Sequence, residues 1–334
     1  MAMTIERLAS VTDVLAETDA RLKMGQSAGA KLWLTGFRAL DKALEGGFRS
    51  GELVLLSGAQ GLGKTTFALQ VILNLAATGH SAVYFSFDHD THTLIQRLIA
   101  MEAAEIAGPM GVSLKSVREV FEARYRREPT IEGRLADTEG GVEAVETLRE
   151  LGQRLHLHRS KASDTDVDAM RQVIVKIRED TGQAPFVVVD TVQKVHFESL
   201  MLLSENDRVA FVVEALKDLT LELSVPILAI VAGGPNSGKR MRIQDLRGSS
   251  TVATPADVVL LLNEKFDSVA RHHLVYNLAS AERFRKWVVM SIEKNRNGVD
   301  RVNLEFEKAF KQGRFEPEGG RVEEELIDER IFVE

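Results

Sequence analysis

The chain has 334 residues, of which 44% are apolar and 27% charged, with seven prolines and no cysteine. This is the composition of an ordinary globular protein with enough chain for a sizeable core. It excludes disulfides and thiolate metal sites, and no apolar run approaches the roughly 18 residues of a membrane span. The formal net charge is −7. Eight acids between Glu316 and Glu334 stand against Arg321 and Arg330, so this stretch carries −6 and the remainder is near neutral. A near-neutral body leaves room for a local basic patch, and the acidic stretch itself is expected to be a solvated tail, with docking of LIDERIFVE as a short element the alternative. MAMTIERLASVTD lacks the apolar segment of a signal peptide, so a cytoplasmic location is expected.

In chain order, residues 10–24 are predicted to form an amphipathic helix, capped by Ser10 with Asp13 and stopped at Gly25. Val11, Val14, Leu15 and Leu22 share one face. A lone helix of this length is marginal in water, so it needs to pack on its own body or on a neighbour. QSAGAK follows as a flexible link, and residues 1–33 are set apart from a domain over 34–315. Within that domain, strands are predicted at 52–58, 81–87, 184–190, 225–232, 257–263, 286–294 and 301–306, with a further short strand in RLHLHRS. Helices are predicted from Lys64 to about Thr78, over 91–107, in DTDVDAMRQVIVKIRED and up to about Ser224. A polar helical insertion occupies 108–153, and the tail begins at 316. Near-continuous β-branched runs between helices mean strands buried on both faces, hence an α/β domain around a mainly parallel sheet. The last three strands, with no long helix between them, suggest an antiparallel edge.

GAQGLGKTTF, Gly58 to Phe67, fits the phosphate-binding pattern G-x4-G-K-[ST] between an apolar strand and a helix. Gly58, Ala59, Gln60, Gly61, Leu62, Gly63, Lys64, Thr65 and Thr66 are therefore expected around a triphosphate. Their backbone N–H groups and the helix N-terminus would face it, Lys64 would reach the β- and γ-phosphates, and Thr65 would ligate Mg²⁺. Asp190 ends the run FVVVD at a strand's C-terminal tip, where it would hold the metal's water shell. In YFSFDHD, Asp88 is a candidate general base for the attacking water, with Asp90 as its rival; both could instead cap the next helix.

TGFRALDKALEGGFRSGELVLLSGAQGLGKTTFALQ, then VYFSFDHD, FVVVDTVQKV, KRMRIQDLRGSS and EKNRNG together resemble the RecA-like motor domain of DnaB-type replicative helicases, from about Leu34 to Phe315. KNRNG and DLR favour this family over its KaiC and RadA relatives. The resemblance implies a RecA-like P-loop fold, a mainly parallel twisted sheet with helices on both faces and antiparallel edge strands. It also implies ATP and Mg²⁺ as cofactors and single-stranded DNA as partner. Lys64, Thr65 and Asp190 take the phosphate and metal roles. Asp88 stands in place of the family's catalytic glutamate, Arg97 near the base, and Gln193 after the Walker B acid. Lys294 and Arg296 match the lysine and arginine finger that reach a neighbouring subunit's site, which implies a homo-oligomer, in this family a hexamer. The family's linker helix, matched by residues 10–24, docks on the adjacent motor domain.

The chain departs from the family in four ways. About 33 residues precede the motor domain where bacterial members carry an N-terminal domain. Asp88 is shorter than glutamate by one C–C bond, about 1.5 Å. Ala232 replaces a γ-phosphate-sensing glutamine, with Asn236 or Ser237 as candidate compensations. TVATPAD lacks the family's acids after DLR. These changes suggest a slow ATPase in a specialised or accessory member. They also keep open a nucleotide-gated KaiC-like assembly, and a strand-exchange recombinase is a third reading. GGPNSGKRMRIQDLR is the candidate pore loop: Lys239, Arg240, Arg242 and Arg247 would line a channel tracking a phosphate backbone, and a solvated surface loop is the alternative. No aromatic residue sits in it, so binding would be sequence-tolerant and salt-sensitive. No metal-ligand spacing connects His156, His158, His272 and His273. The sequence names no protein partner and predicts no membrane contact.

Overall fold

A computed structural model of the chain describes residues 8–25, 27–122, 128–197, 204–233, 240–246, 249–270, 272–275 and 278–328. Residues 123–127 (ARYRR), the candidates Asn236, Ser237, Lys239 and Arg247, and the final six residues lie outside the described residues.

The first helix, α1 (Val11–Lys23), is capped as its sequence requires, with the Ser10 hydroxyl accepting from the Asp13 N–H at 3.1 Å. None of its residues is buried, and Val11, Val14, Leu15 and Leu22 stay exposed. Among the described residues, nothing covers its apolar face. A small antiparallel ribbon of β1 (Leu32–Trp33) and β2 (Phe48–Arg49) brackets α2 (Arg38–Ala43) and leads into the main sheet.

The sheet is built from β3 (Leu53–Gly58), β4 (Ala82–Ser86), β5 (Leu155–Arg159), β6 (Phe186–Asp190), β7 (Ile227–Ile230), β8 (Val258–Glu264), β9 (Trp287–Asn295), β10 (Val302–Ala309), β11 (Arg314–Phe315) and β12 (Gly320–Arg321). Their spatial order is β11-β10-β9-β8-β3-β7-β6-β4-β5, with β12 also against β10. From β8 to β5 every pair is parallel; β9 to β12 add antiparallel edges. The last three predicted strands thus pair antiparallel with one another as expected, and β8 also joins the parallel block through β3.

Helices α3 (Lys64–Ala77), α4 (Thr91–Ala107), α5 (Leu114–Phe121), α6 (Ile131–Leu135), α7 (Gly141–Leu151), α8 (Val167–Thr181) and α9 (Glu205–Leu223) cover the sheet or each other. Strand periodicity sorts the core into two layers. Val54, Leu56, Phe186 and Val188 pack toward α3, whereas Leu53, Leu55, Val187 and Val189 pack toward α8 and α9. Both faces are apolar, so burial on two sides rather than alternation marks these strands. A third, smaller core holds α5 to α7 against the outer face of α4 through Ile99, Ala103, Val117, Leu135 and Val145.

Short helices flank the antiparallel edge: α10 (Ser249–Ala253) precedes β8, and α11 (Lys265–Ser268), α12 (His272–Val275) and α13 (Leu278–Arg285) lie between β8 and β9 in the chain. The acidic stretch is no solvated tail as far as Asp328. It runs over this region through backbone hydrogen bonds from Val322 to Asn303 (3.0 Å), Ala270 to Glu325 (2.9 Å), Ile327 to Ser268 (2.8 Å) and Arg240 to Asp328 (3.0 Å). Its acidity has a partner inside the protein: the Lys265 ammonium, 1% exposed, lies 2.7 Å from Glu324 and also pairs with Glu305. Burial raises the pKa of Glu324, but its bond to Lys265 and the charges of Lys265 and Arg283 outweigh that and hold it below its ordinary value. A carboxyl depressed on folding adds stability above its ordinary pKa that is lost as pH falls through its folded value. Glu324→Gln is expected to lower stability by about 1–3 kcal/mol at neutral pH. In denaturant melts, the gap to the wild type should close in acid.

Candidate functional site

The tips of β3, β6 and β4 meet at one carboxylate. Asp190 is 4% exposed at the end of β6. Its Oδ2 accepts from the Thr65 hydroxyl at 2.7 Å and from the Tyr84 hydroxyl at 2.6 Å. Thr65 is there because the Gly58–Gly63 turn ends β3 and starts α3 one residue earlier. That turn needs glycine at its last position: Gly63 has φ +91°, and a Cβ there would lie 2.6 Å from the Phe315 ring and 2.8 Å from the Phe310 ring. The loop is thus backed by two phenylalanines, and α3 is tied to the strand bearing one of them by paired Gln70–Phe315 hydrogen bonds of 2.8 and 2.9 Å.

Lys64 donates to the carbonyls of Gly58 (2.7 Å) and Ala59 (2.9 Å). Burial lowers its pKa, and the charge of Asp190 opposes that. Gln60 and Gly61 are exposed on the loop's outer turn, whereas Leu62 and Thr66 are buried beneath it. Tyr84 is fully buried; burial, then the charge and hydrogen bond of Asp190, raise its pKa well above the ordinary phenol range. Arg97, on α4, is near enough to feel both groups: burial and then Arg118 lower its pKa, while Tyr84 and Asp190 raise it. Its Nε is buried with no hydrogen-bond partner among the described residues. Gln193, three residues past Asp190, accepts from the Ala232 N–H at 3.0 Å.

The rival acids separate cleanly. Asp90 is the cap of α4, accepting from the Thr93 N–H at 2.8 Å. Asp88 stands free of that duty and pairs with Lys194, from the turn after β6. Sequence reasoning missed Lys194 and Tyr84. For Tyr84 a signal existed, since a tyrosine within a buried apolar run needs a partner for its hydroxyl.

Asp190 and Thr65 set two hard oxygens side by side, the donor chemistry of Mg²⁺. Among the described residues no cluster of three or more His, Cys, Asp or Glu gathers, so a cation here would take its other ligands from phosphate and water.

Lys294 and Arg296 lie at the other end of the sheet. Val258, the start of β8, pairs with Asn295 near the end of β9. Arg296 reaches Asp257 (3.2 Å) and the Thr254 carbonyl (2.9 Å), and Lys294 reaches the Ala253 and Thr254 carbonyls, both at 2.9 Å. Burial lowers the pKa of Lys294, helped by Arg296. Asp257 also accepts from Lys217 (2.7 Å) and from the N–H of Leu53 (2.8 Å), the first residue of β3. Asn297 donates to Glu52 at 2.6 Å. The turn is therefore pinned at the start of β3, while the phosphate loop begins at its end. Six strand residues separate them, about 17–20 Å.

The basic loop is placed differently from expectation. Gly233 bridges to Leu246, closing its base. Arg240 is 6% exposed, donating to Ser291 at 3.0 Å and to Asn303 between β9 and β10. An open channel-lining role for Arg240 is corrected by that burial: its guanidinium serves the sheet. Arg242 remains partly exposed, 3.4 Å from Glu293 and 3.3 Å from Asp328.

Removing the Tyr84 hydroxyl tests the central carboxylate. Tyr84→Phe is expected to cost about 1.5–3 kcal/mol, the range for hydrogen bonds to charged groups, measured by urea melts.

A model of the DnaB-like helicase C-terminal domain matches residues 33–316. The replicative DNA helicase DnaB of Treponema pallidum is 26% identical over 281 residues, covering 83% of this chain and 54% of that protein. Its counterpart from Geobacillus stearothermophilus is 23% identical over 314 residues, covering 90% and 61%. The chain therefore spans little more than half the length of these relatives. Among solved structures, a DnaB-like replicative helicase, described with its interactions with primase, aligns with a TM-score of 0.65 at 18% identity, over 92% of this chain and 67% of that one. A KaiC-like protein from Pyrococcus horikoshii aligns at 0.53 and 17%, over 88% and 99%. The fold is thus RecA-like, and with the family match extending from Trp33 to Glu316, the chain belongs to the DnaB-like helicase C-terminal domain family.

Proposed function

We propose that this chain is a ring-forming, ATP-dependent motor of the DnaB type that moves along single-stranded DNA, in a specialised or accessory role. The observation that carries this reading is the separation of the phosphate loop and the Lys294–Arg296 turn at opposite ends of one strand. An arginine side chain reaches about 7 Å, less than half that gap. Both groups serve one triphosphate only if a second copy places its turn against the first copy's loop. Repetition of such a head-to-tail contact closes a ring, which for this family's motor we take as a hexamer. The exposed apolar face of α1 supplies a second surface for the same neighbour.

In this reading Lys64 leaves the loop carbonyls for the β- and γ-phosphates, a like-for-like exchange of acceptors around one ammonium. Thr65 and Asp190 hold the Mg²⁺, which when bound neutralises charge on the phosphate oxygens. Asp88 takes the proton of the attacking water, and Lys194 fixes where its carboxylate sits. Arg97 lies beside the site with spare donor capacity. Arg296 exchanges its partly exposed pairing with Asp257 for the neighbour's transferring phosphate. Ending β7 directly in the basic loop connects nucleotide state to DNA, through Arg242 and the further cations Lys239 and Arg247. A cytoplasmic location accords with action on DNA. The KaiC-like switch has less behind it, since the KaiC-like neighbour aligns less well than the DnaB-like helicase.

Subunit mixing tests the proposal. Lys64→Ala and Arg296→Ala should each reduce ATP turnover by about 10²-fold or more alone. Mixed with each other, they should recover a measurable part, because some interfaces then pair an intact loop with an intact turn. No recovery, or an active Arg296→Ala protein, would count against action between subunits. Arg242→Ala should weaken single-stranded DNA binding and flatten its salt dependence, read by fluorescence anisotropy.

A further inference from the structure

At position 232, just past β7, this chain has a methyl group that can neither donate nor accept a hydrogen bond. The place is a sensitive one. Ile230, the end of β7, pairs on one side with Leu56 of the strand leading to the phosphate loop, and on the other with Asp190. A carboxamide does stand here, but it comes from the neighbouring strand's turn. Gln193 reaches across from Val192–Lys194, and its Oε1 accepts from the backbone N–H of Ala232 at 3.0 Å. The Thr191 hydroxyl sits 2.9 Å from the same oxygen and 2.8 Å from the Ile230 carbonyl, linking the two strand ends. The orientation of the amide is fixed by chemistry, because a backbone N–H demands the oxygen. The NH₂ end must therefore point away from Ala232. That Nε2 is buried and has no hydrogen-bond partner among the described residues.

An unsatisfied buried amide costs about 1–3 kcal/mol and is rare enough to need a reason. We infer that Gln193 supplies the γ-phosphate-sensing amide that Ala232 cannot, its Nε2 donating to the terminal phosphate of the bound nucleotide. This deepens the ATPase reading and rests on it. An anionic oxygen is an acceptor that would relieve this orphan NH₂. At the tips of β6 and β7, beside Asp190, the oxygen that a triphosphate brings and a diphosphate lacks is the terminal one. The same amide ties the turn after β6 to the residue preceding Gly233, where the basic loop starts. Loss of the terminal phosphate would thus be felt by both loops through one side chain.

The test compares triphosphate with diphosphate. Gln193→Glu keeps the oxygen for Ala232 and replaces the donor by an acceptor at nearly constant volume; Gln193→Ala removes both. Calorimetric titration of the full chain with Mg²⁺ and either ADP or a non-hydrolysable ATP analogue reads the effect directly. Both variants should bind ADP within about twofold of wild type and the analogue about tenfold or more weakly, with turnover down by about 10²-fold. Adding Ala232→Gln to Gln193→Ala should recover most of the analogue's affinity. Unchanged analogue binding in both variants overturns the inference, as does an equal loss for both nucleotides, which would mark a structural role. Failure of the wild type to bind either nucleotide would instead overturn the ATPase reading beneath it.

Discussion

A single buried carboxylate holds the working end of this molecule together. Asp190 ends β6, yet its Oδ2 is shared by the first turn of α3 and by a tyrosine of β4. Taking an ionised carboxylate out of water is expensive, and two short hydrogen bonds offset much of that cost. The consequence is geometric. The hydroxyl that follows the phosphate loop, the acid and the strand leading to Asp88 keep a fixed relation before any ligand arrives, which is the preorganisation that charge stabilisation requires. Tyr84 also shows how rigid the arrangement is, since its buried phenol is held neutral beside the acid.

The opposite end of the sheet is organised by a second acid. Asp257 gathers Lys217, Arg296 and the N–H that begins β3. The two acids lie at the two ends of the same parallel block, one proposed to hold the metal beside the phosphates and the other holding the cation proposed to act on them. Nothing inside one copy can bring them together, because β3 is a rigid spacer buried along its length. The proposed assembly follows from strand polarity: a group at the N-terminal edge of a parallel sheet would serve only a site at the C-terminal edge of another copy. The bonds that Arg296 makes at home are few and partly exposed, so its release costs little.

Much of this was legible in the residues themselves. The β-branched runs marked the strands, and the turn from β3 into α3 was readable because the glycines of GAQGLGKT sit between an apolar strand and a helix. Asp90 and Asp88 could not be separated by inspection; only the cap geometry of α4 assigns the first. Arg240 misled because charge in a glycine-rich loop reads as solvated, and its burial depends on Ser291 and Asn303, 51 and 63 residues away in sequence. The acidic stretch misled for the same reason. Composition counts its charges, but not the buried Lys265 that binds one of them. Contacts between residues far apart in the chain leave no local pattern to read.

Lys265 sits with its ammonium over the Phe284 ring and between two glutamates, one from β10 and one from the final segment. That makes residue 324 a practical boundary. A shortened recombinant form ending before it would strip one counter-charge from a fully enclosed cation and remove the hydrogen-bonded run to Asp328, so trimming the acidic end to improve crystals would trade surface entropy for a frustrated interior. An affinity handle is better appended beyond that point than grafted in its place.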